Sequence, residues 1–466
     1  MNDSYDFIVI GGGSAGYAGA AMAGELGLTT LLIEGGREVG GLCILRGCMP
    51  SKTLLESGHR AAAIRDAAEF GLRAEYRGSD AAAIVARKRR LIGEFAAYRR
   101  EQIAIGSFDF IRGTATFADP HTVEVRLMDG GPRHFTGRAV LIATGSHISL
   151  PQIDGLADAG FWTSDDVLAA ETIPESVCVL GGGAIALELA SYYGGLGVPT
   201  TVIQRSAQVL KEMDADLADA VTAALEKRGI AVFRNTKLSH VRKDGNHKQV
   251  HFEHGGQMRT VEAAQIIFAL GRTPATNGLA LDRAGVKTAR EIDAAPTQQC
   301  GAPHLFAAGD VCGPHEVVHL AIQQAELAAR NAARVLGRLD GELESMDYAL
   351  KLFVVFTHPE VAAVGLTERE CTEQQIDFVT EKYLFADHGK ALIRGATDGF
   401  VKLLATRESG RLLGGACVGP EASELIHEVV VALRFRATAA DLASTPHYHP
   451  TLSEIWTYPA EALAKR

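Results

Sequence analysis

Cys43 and Cys48 stand with four residues between them in the segment Gly40-Gly41-Leu42-Cys43-Ile44-Leu45-Arg46-Gly47-Cys48-Met49-Pro50-Ser51-Lys52. Two thiols at this spacing can cycle between dithiol and disulfide and so carry two electrons. On an ideal helix five residues of rise and rotation would hold their Cα atoms roughly 8.7 Å apart, beyond the span a disulfide tolerates. The backbone between them must therefore leave regular helix. Gly47 is expected to supply the freedom for that break, and Pro50 suits the first turn of a helix running on through Ser51-Lys52-Thr53-Leu54-Leu55. A cysteine at such an N-terminus faces unpaired N–H groups and the positive end of the helix dipole, which favours its thiolate. A structural disulfide, or two buried free thiols, would use the same two residues, so the surrounding elements must decide.

Composition narrows the choice. The 466 residues are 47% hydrophobic and 22% charged, with a formal charge of -10, which describes a soluble globular chain long enough for three or four domains. That balance implies no large basic surface, so nucleic acid is not an expected partner. Neither a run of roughly 18 apolar residues nor an apolar leader with a cleavage site is present, so no membrane span or export signal is expected. Seven cysteines, odd in number and mostly far apart, do not form a secreted disulfide scaffold. The expectation is a reducing cytoplasm, where a persistent cysteine pair is more often catalytic than structural.

A repeated strand-turn-helix pattern must position the pair. Asp6-Phe7-Ile8-Val9-Ile10 reads as a buried strand, Gly11-Gly12-Gly13-Ser14-Ala15-Gly16 as a tight turn, Tyr17 to Leu26 as a helix, and Thr29 to Ile33 as a second strand ending in Glu34. This is a dinucleotide-binding fingerprint in its required context. Gly11 permits the turn, Gly13 lets the backbone approach a pyrophosphate at the helix N-terminus, Gly16 allows close helix-strand packing, and Glu34 can accept a ribose hydroxyl. The pattern returns 170 positions later as Val177-Cys178-Val179-Leu180, Gly181-Gly182-Gly183-Ala184-Ile185-Ala186, a helix through Leu187-Glu188-Leu189-Ala190, and the strand Thr200-Thr201-Val202-Ile203. Two dinucleotides are implied. The second unit has Ala186 as its third small residue and finishes in Gln204-Arg205-Ser206 without an acid. A neutral residue followed by Arg205, with Lys211 nearby, suits a 2′-phosphate, which favours NADP(H) over NAD(H).

Strand and linker signals divide the rest. Arg138 to Ser146 is an apolar strand ending at Gly145, residues 151 to 172 form a connector rich in turn residues, and Ile266 to Pro274 makes a matching strand. Leu305-Phe306-Ala307-Ala308-Gly309-Asp310 is another strand, followed by a helical stretch to about Leu336. After Gly341 the texture changes to short strands, Lys351 to Phe356 and Gly399 to Leu404, with helices near Ser423 to Arg434 and Thr438 to Leu442, as in a separate α+β domain.

Together these motifs resemble the pyridine nucleotide-disulfide oxidoreductase family, which includes dihydrolipoamide dehydrogenase, glutathione reductase and mercuric reductase. The resemblance spans essentially the whole chain. It rests on Gly11 to Gly16, Cys43 to Lys52, Ala143-Thr144-Gly145, Gly181 to Glu188, Gly271-Arg272-Thr273-Pro274, Ala308-Gly309-Asp310, Phe356-Thr357-His358-Pro359-Glu360 and His449-Pro450-Thr451-Leu452-Ser453-Glu454. It implies an α/β fold of two Rossmann-like domains, for FAD and NAD(P), plus a C-terminal α+β dimerisation domain. The expected division is 1–150 and 273–343 for FAD, 151–272 for NAD(P), and 344–466 for dimerisation.

The resemblance also implies roles. Gly11, Gly13, Ser14, Ala15, Gly16, Glu34, Gly41, Lys52, Gly113, Ala115, Thr144, Gly145, Asp310, Val318 and His319 would serve FAD, with Glu34 on the adenosine ribose, Gly113-Thr114-Ala115 near the adenine and Asp310 on the ribityl chain. Gly181, Gly183, Ile185, Glu188, Arg205, Lys211, Gly271 and Arg272 would serve the nicotinamide dinucleotide, and Lys52 would pair with Glu188 beside the flavin. Cys48 would face the flavin and Cys43 would exchange with substrate. His449, oriented by Glu454, would move the thiol proton and would cross from the partner subunit of a homodimer with shared active sites. No metal site is expected, since His315 and His319 alone lack further ligands.

Departures from the family pattern bear on substrate. Leu42, Leu45 and Arg46 replace the family's usual residues around the cysteines. Ala21 and Met22 stand where glutathione reductases carry two arginines, which argues against glutathione. Mercuric reductases and large thioredoxin reductases end in a redox-active tail, whereas here residues Tyr458 to Arg466 hold no cysteine, and no metal-binding domain is expected ahead of the first strand. The expected activity is NAD(P)H-dependent, NADPH-favouring reduction of a small disulfide in the manner of dihydrolipoamide dehydrogenase. Mercuric reductase-like metal reduction, a glutathione-type disulfide reductase and a flavin-bound redox sensor are the alternatives. Arg87-Lys88-Arg89-Arg90 and Arg99-Arg100 read as a solvated helix face, and Cys178, Cys300, Cys312, Cys371 and Cys417 as inert.

Overall fold

Residues 2–150 and 152–466 are described by a computed structural model; Pro151, at the head of the expected connector, lies outside the described residues. The chain gathers into two compact units, Met1–Ser51 with Ala86–Ser149 and Arg272–Asp347, and Lys52–Val85 with Leu150–Gly271 and Tyr348–Arg466. Residues 52–85 thus group with the second unit, and the nucleotide-binding pattern at 177–203 shares a unit with the C-terminal segment. Among the described residues no helix is long and apolar enough to cross a membrane.

The first unit grows from the apolar strand Ser4–Ile10, flanked in parallel by Thr30–Glu34 and Pro132–Ile142. Asp109–Phe117 and Leu305–Ala307 extend the parallel sheet at its two sides. Such strands are covered on both faces, which is why they read as continuous apolar runs rather than alternating ones. The long strands Asp109–Phe117 and Pro132–Ile142 also run on into an antiparallel meander through Thr122–Leu127. Helices Ser14–Glu25 and Val318–Val335 cover one face, packing through Ala20, Ala23, Ala325, Ala328 and Ala329. These small side chains let the helices approach each other closely. Gly19 takes part, since a Cβ there would lie 2.6 Å from Leu141 and 3.4 Å from Ala325.

The second unit contains the parallel sheet Gln265–Phe268, Val177–Leu180, Thr200–Ile203 and Ala231–Phe233 in that order. An antiparallel meander, Thr236–Asp244, His247–His254 and Gln257–Ala263, connects its two outer strands, Ala231–Phe233 and Gln265–Phe268. The C-terminal segment forms a five-stranded antiparallel sheet ordered Leu352–Val355, Glu360–Gly365, Leu412–Gly419, Phe400–Thr406 and Phe378–Leu384. The α+β texture expected after Gly341 is this sheet with helices Ala422–Arg434, Ala439–Ser444 and Thr457–Ala464. One hydrophobic cluster runs from Leu187 and Leu217 of the nucleotide fold to Val361, Phe400 and Val418 of the five-stranded sheet.

A buried cation reinforces that junction. Lys402, fully buried on Phe400–Thr406, donates to Asp214 at 2.8 Å, Asp216 at 3.0 Å and Glu368 at 2.9 Å. Asp214 is the N-cap of helix Ala215–Lys227, so the lysine ties the start of a nucleotide-fold helix to the C-terminal sheet. Burial opposes its charge, but the hydrogen bonds and charges of Asp214 and Asp216 outweigh it and hold the Lys402 pKa above the ordinary lysine value. Removing one partner of a buried ion network leaves the others uncompensated, so Lys402→Ala should cost about 3–5 kcal/mol. A urea unfolding curve measures this; a loss below about 1 kcal/mol, the scale of a surface pair, would show that the cluster does not anchor the sheet.

Candidate active site

The first glycine turn is built by exclusion. Gly11 has φ +108, and a Cβ there would collide with Ala143 O. A Cβ on Gly16 would collide with Gly11 O. Gly13 is the N-cap of helix Ser14–Glu25 and supplies no side-chain cap, so the first-turn N–H groups at Ser14 and Ala15 have no side-chain acceptor there. Glu34, buried at the end of Thr30–Glu34, accepts from Gly12 N at 3.1 Å and from Gly36 N. This geometry fits a pyrophosphate at the helix end and a ribose beside the carboxylate. Gly113 and Ala115 lie on Asp109–Phe117, the strand next to Glu34.

The opposite strand ends are tied by polar bonds. Thr144 Oγ1 donates to Ala275 O at 2.8 Å, and Gly145 O accepts from Ala275 N at 2.9 Å. Ser146 Oγ donates to Asp310 at 2.6 Å and accepts from Arg272 Nε at 2.7 Å, while Arg272 Nη2 donates to Ser146 O at 2.7 Å. Arg272, expected with the nicotinamide residues, is thus engaged in the first unit through Ser146 and Asp310. Val318 and His319 open helix Val318–Val335, and from that helix buried Gln324 accepts from Gly309 N and donates to Gly313 O, each at 2.8 Å. Ser146 and Gln324 were not singled out from sequence, because their partners lie far away or around a turn. Burial pushes the Cys312 thiol up to about 12, in keeping with an inert residue.

The cysteine segment brackets a helical break, as its spacing requires. Helix Gly41–Leu45 ends at Arg46, φ −144, and a new helix begins at Cys48 and runs to Arg65 with Pro50 in its first turn. The break between the cysteines falls at Arg46 and Gly47, and Gly47 has no positive φ; the positive φ values of this segment, 144 and 68, lie at Gly40 and Gly41, ahead of Cys43. Gly47 is needed for space instead, since a Cβ there would come 3.0 Å from Leu42 O. A Cβ on Gly41 would strike Gly13 Cα, so the cysteine segment lies backbone to backbone against the glycine turn. Arg99 departs from the solvated face expected for it. Its guanidinium lies 3.8 Å from the Tyr17 ring centre, and burial lowers its pKa against the opposing charges of Tyr17 and Cys43.

In the second unit Gly181 has φ +123, and Gly183 is the uncapped N-cap of helix Ala184–Gly195 with nothing within contact of a Cβ. The Gln204 side chain lies against Gly182 as Glu34 lies against Gly12. Ile185 and Arg205 are exposed, Arg205 makes no ion pair among the described residues, and Lys211 pairs with Glu212 at 3.5 Å. Gly271 has φ +119. Lys52, one turn along its helix from Cys48, donates 2.9 and 2.8 Å bonds to both oxygens of Glu188, which also accepts from Phe356 N at 3.1 Å. That carboxylate is buried, with three donor bonds to satisfy it.

His449 Nδ1 donates to Glu454 Oε2 at 3.0 Å. Glu454 is fixed by the short turn Ser453–Trp456, whose Ile455 and Trp456 are buried and whose indole N–H donates to Leu425 O at 3.0 Å. The His449 side chain is 79% exposed over a carboxylate only 11% exposed, so its Nε2 faces outward with the tautomer set from within.

The sequence matches the family model for pyridine nucleotide-disulphide oxidoreductases over residues 5–325 and that for their dimerisation domain over residues 353–460. A dihydrolipoyl dehydrogenase of Thermus scotoductus is 35% identical, with 99% of this chain and 98% of the relative covered. A mercuric reductase of Lysinibacillus sphaericus is 33% identical, covering 97% of this chain and 81% of the relative. The solved Cu(II) complex of the HOCl-induced flavoprotein disulfide reductase RclA from Escherichia coli shares the fold at TM-score 0.86 and 24% identity, covering 99% of this chain and 100% of that one.

Gly183→Ala separates binding from folding at the second turn. Its Cβ meets nothing, so stability should stay within about 0.5 kcal/mol. The methyl would occupy the space a pyrophosphate needs, so KM for the reduced dinucleotide should rise roughly tenfold or more, about 1.4 kcal/mol. Steady-state kinetics beside thermal unfolding checks this; an unchanged KM would remove the turn from the site.

Proposed function

Because the chain belongs to the pyridine nucleotide-disulphide oxidoreductase family, we propose that it carries electrons from NADPH through FAD and Cys43–Cys48 to a small disulfide, in the manner of a dihydrolipoyl dehydrogenase. The observation that carries this reading is the close approach of Gly13 and Gly41, which sets the cysteine pair against the first dinucleotide turn. Bound at that turn, FAD supplies a ring that takes hydride from a reduced nicotinamide and delivers an electron pair to the disulfide.

The chain's residues do the rest. The uncapped helix end at Ser14 and Ala15 holds the pyrophosphate, Glu34 the adenosine ribose, and Asp310, oriented by Ser146 and Arg272, the ribityl hydroxyls. Lys52, gripped by Glu188, sets a fixed positive charge one turn from Cys48, the flavin-facing thiol. Cys43 forms the mixed disulfide with substrate, and His449 Nε2 takes the proton from one thiol and returns it to the departing one while Glu454 keeps Nδ1 protonated. The exposed His449 on its buried support fits delivery to the cysteines of a partner subunit, in agreement with the dimerisation domain at 353–460. The exposed Arg205 and the neutral Gln204 support NADP(H) over NAD(H). Mercuric-ion reduction is the second reading, supported by the relative from Lysinibacillus sphaericus.

Turnover with lipoamide, oxidised glutathione and mercuric ion, each with NADPH and NADH, tests the assignment. The expected result is fastest turnover with lipoamide and NADPH; a higher kcat/KM with NADH, or turnover with mercuric ion alone, overturns the corresponding half. His449→Ala should lose on the order of 10²-fold or more in turnover, the scale of a general acid-base group. Mixing it with Cys43→Ser subunits should restore activity through hybrid dimers holding one intact site. Wild-type turnover of His449→Ala excludes the acid-base role, and a mixture that stays inactive excludes shared sites.

A further inference from the structure

Glu454 has a second histidine on its other oxygen. His388 lies between the short helix Phe385–Asp387 and helix Gly389–Ile393, and is fully buried. Its Nε2 is 3.4 Å from Glu454 Oε1, while Oε2 takes the Nδ1–H of His449 at 3.0 Å. The three groups thus step outward from an enclosed imidazole through a buried carboxylate to an exposed imidazole.

Burial pushes the pKa of His388 down, and the pull of Glu454 in the other direction does not offset this. A neutral imidazole carries one N–H, and the facing carboxylate selects Nε2 to bear it. Neither ring nitrogen makes an ordinary hydrogen bond among the described residues, but Nε2 is the one aimed at a carboxylate oxygen while Nδ1 meets no partner to compete for the tautomer. At 3.4 Å the contact is longer than an ordinary N–H···O bond and acts as an aimed dipole. The other titratable groups facing His388 are His449, beyond the carboxylate, and Tyr458, whose ring meets the imidazole edge-on at 6.2 Å and stacks on Tyr383 at 4.0 Å. The Tyr383 hydroxyl donates to Asp387 O, beside His388 in the chain.

We propose that His388 is a positioning residue for the proton transfer, its Nε2–H holding Glu454 Oε1 so that Oε2 stays on His449 Nδ1. The inference rests on the reading of His449 as the acid-base group. A glutamate's terminal torsion is broad, and one exposed histidine leaves the carboxylate free to turn. A second donor on a fully enclosed side chain removes that freedom.

Without this donor the Glu454 carboxylate can turn away from His449 Nδ1, and the imidazole loses the orientation that proton transfer needs. His388→Leu should therefore lower kcat about threefold or more with KM for the disulfide within about twofold. His388→Asn, polar but too short to reach Oε1, should behave likewise and covers the case in which the leucine variant does not fold. His388→Gln, whose amide N–H reaches as far as Nε2, should restore kcat; flavin absorbance and thermal unfolding verify that each variant is folded. An unchanged kcat in the leucine and asparagine variants, or a glutamine variant no better than the asparagine one, overturns the inference. If His449→Ala keeps wild-type turnover, the acid-base reading fails and this one with it. If His449→Ala is inactive while kcat of the His388 variants is unchanged, only the role of His388 fails.

Discussion

Close approach of backbone to backbone at glycine is the constraint on which the rest of the first unit depends. Gly11 against Ala143, Gly16 against Gly11, and Gly41 against Gly13 are three contacts that no side chain allows. They draw a strand end, a helix N-terminus and the cysteine segment to one place. Positive φ at Gly11 and Gly41 adds a second demand at two of these positions, so those glycines are required both for space and for backbone conformation. The alanine-lined packing of helices Ser14–Glu25 and Val318–Val335 applies the same economy of volume behind the turn.

A second theme is the buried carboxylate held by donors from different parts of the chain. Glu34 accepts from two backbone amides, Glu188 from Lys52 and Phe356 N, and Glu454 from His449 with His388 behind it. Burial makes an ionised carboxylate expensive, and oriented donors compensate while leaving only one geometry open to it. Each acid is therefore rigid where an exposed one would be mobile.

Local pattern made much of this legible. The two glycine turns, the apolar strands flanking them and the helix opening at Cys48 all express short-range geometry that adjacent residues report directly. Lys52 with Glu188, 136 positions apart, and His449 with Glu454 were legible only through the family resemblance, because locally the first two read as solvated helix charges and His449 as a turn residue. Lys402, Ser146, Gln324 and His388 escaped for the same physical reason: each acts on groups that tertiary folding alone brings near. Gly47 stands at the break that the spacing demanded, but spacing does not tell whether a glycine there is needed for space or for backbone conformation. Arg99 sat in a run of basic residues whose composition describes solvent, while the face it occupies on helix Ala81–Ala104 turns it onto Tyr17.

The helix Cys48–Arg65 carries a further consequence. Cys48 and Lys52 are four residues apart on one continuous rod, about 6 Å by helical rise, and Lys52 is clamped at both oxygens of Glu188. The helix fixes the separation of the two residues, and Glu188 fixes the ammonium. The cost of ordering that charge is met in folding, so the cation on this helix is electrostatically preorganised before any ligand arrives.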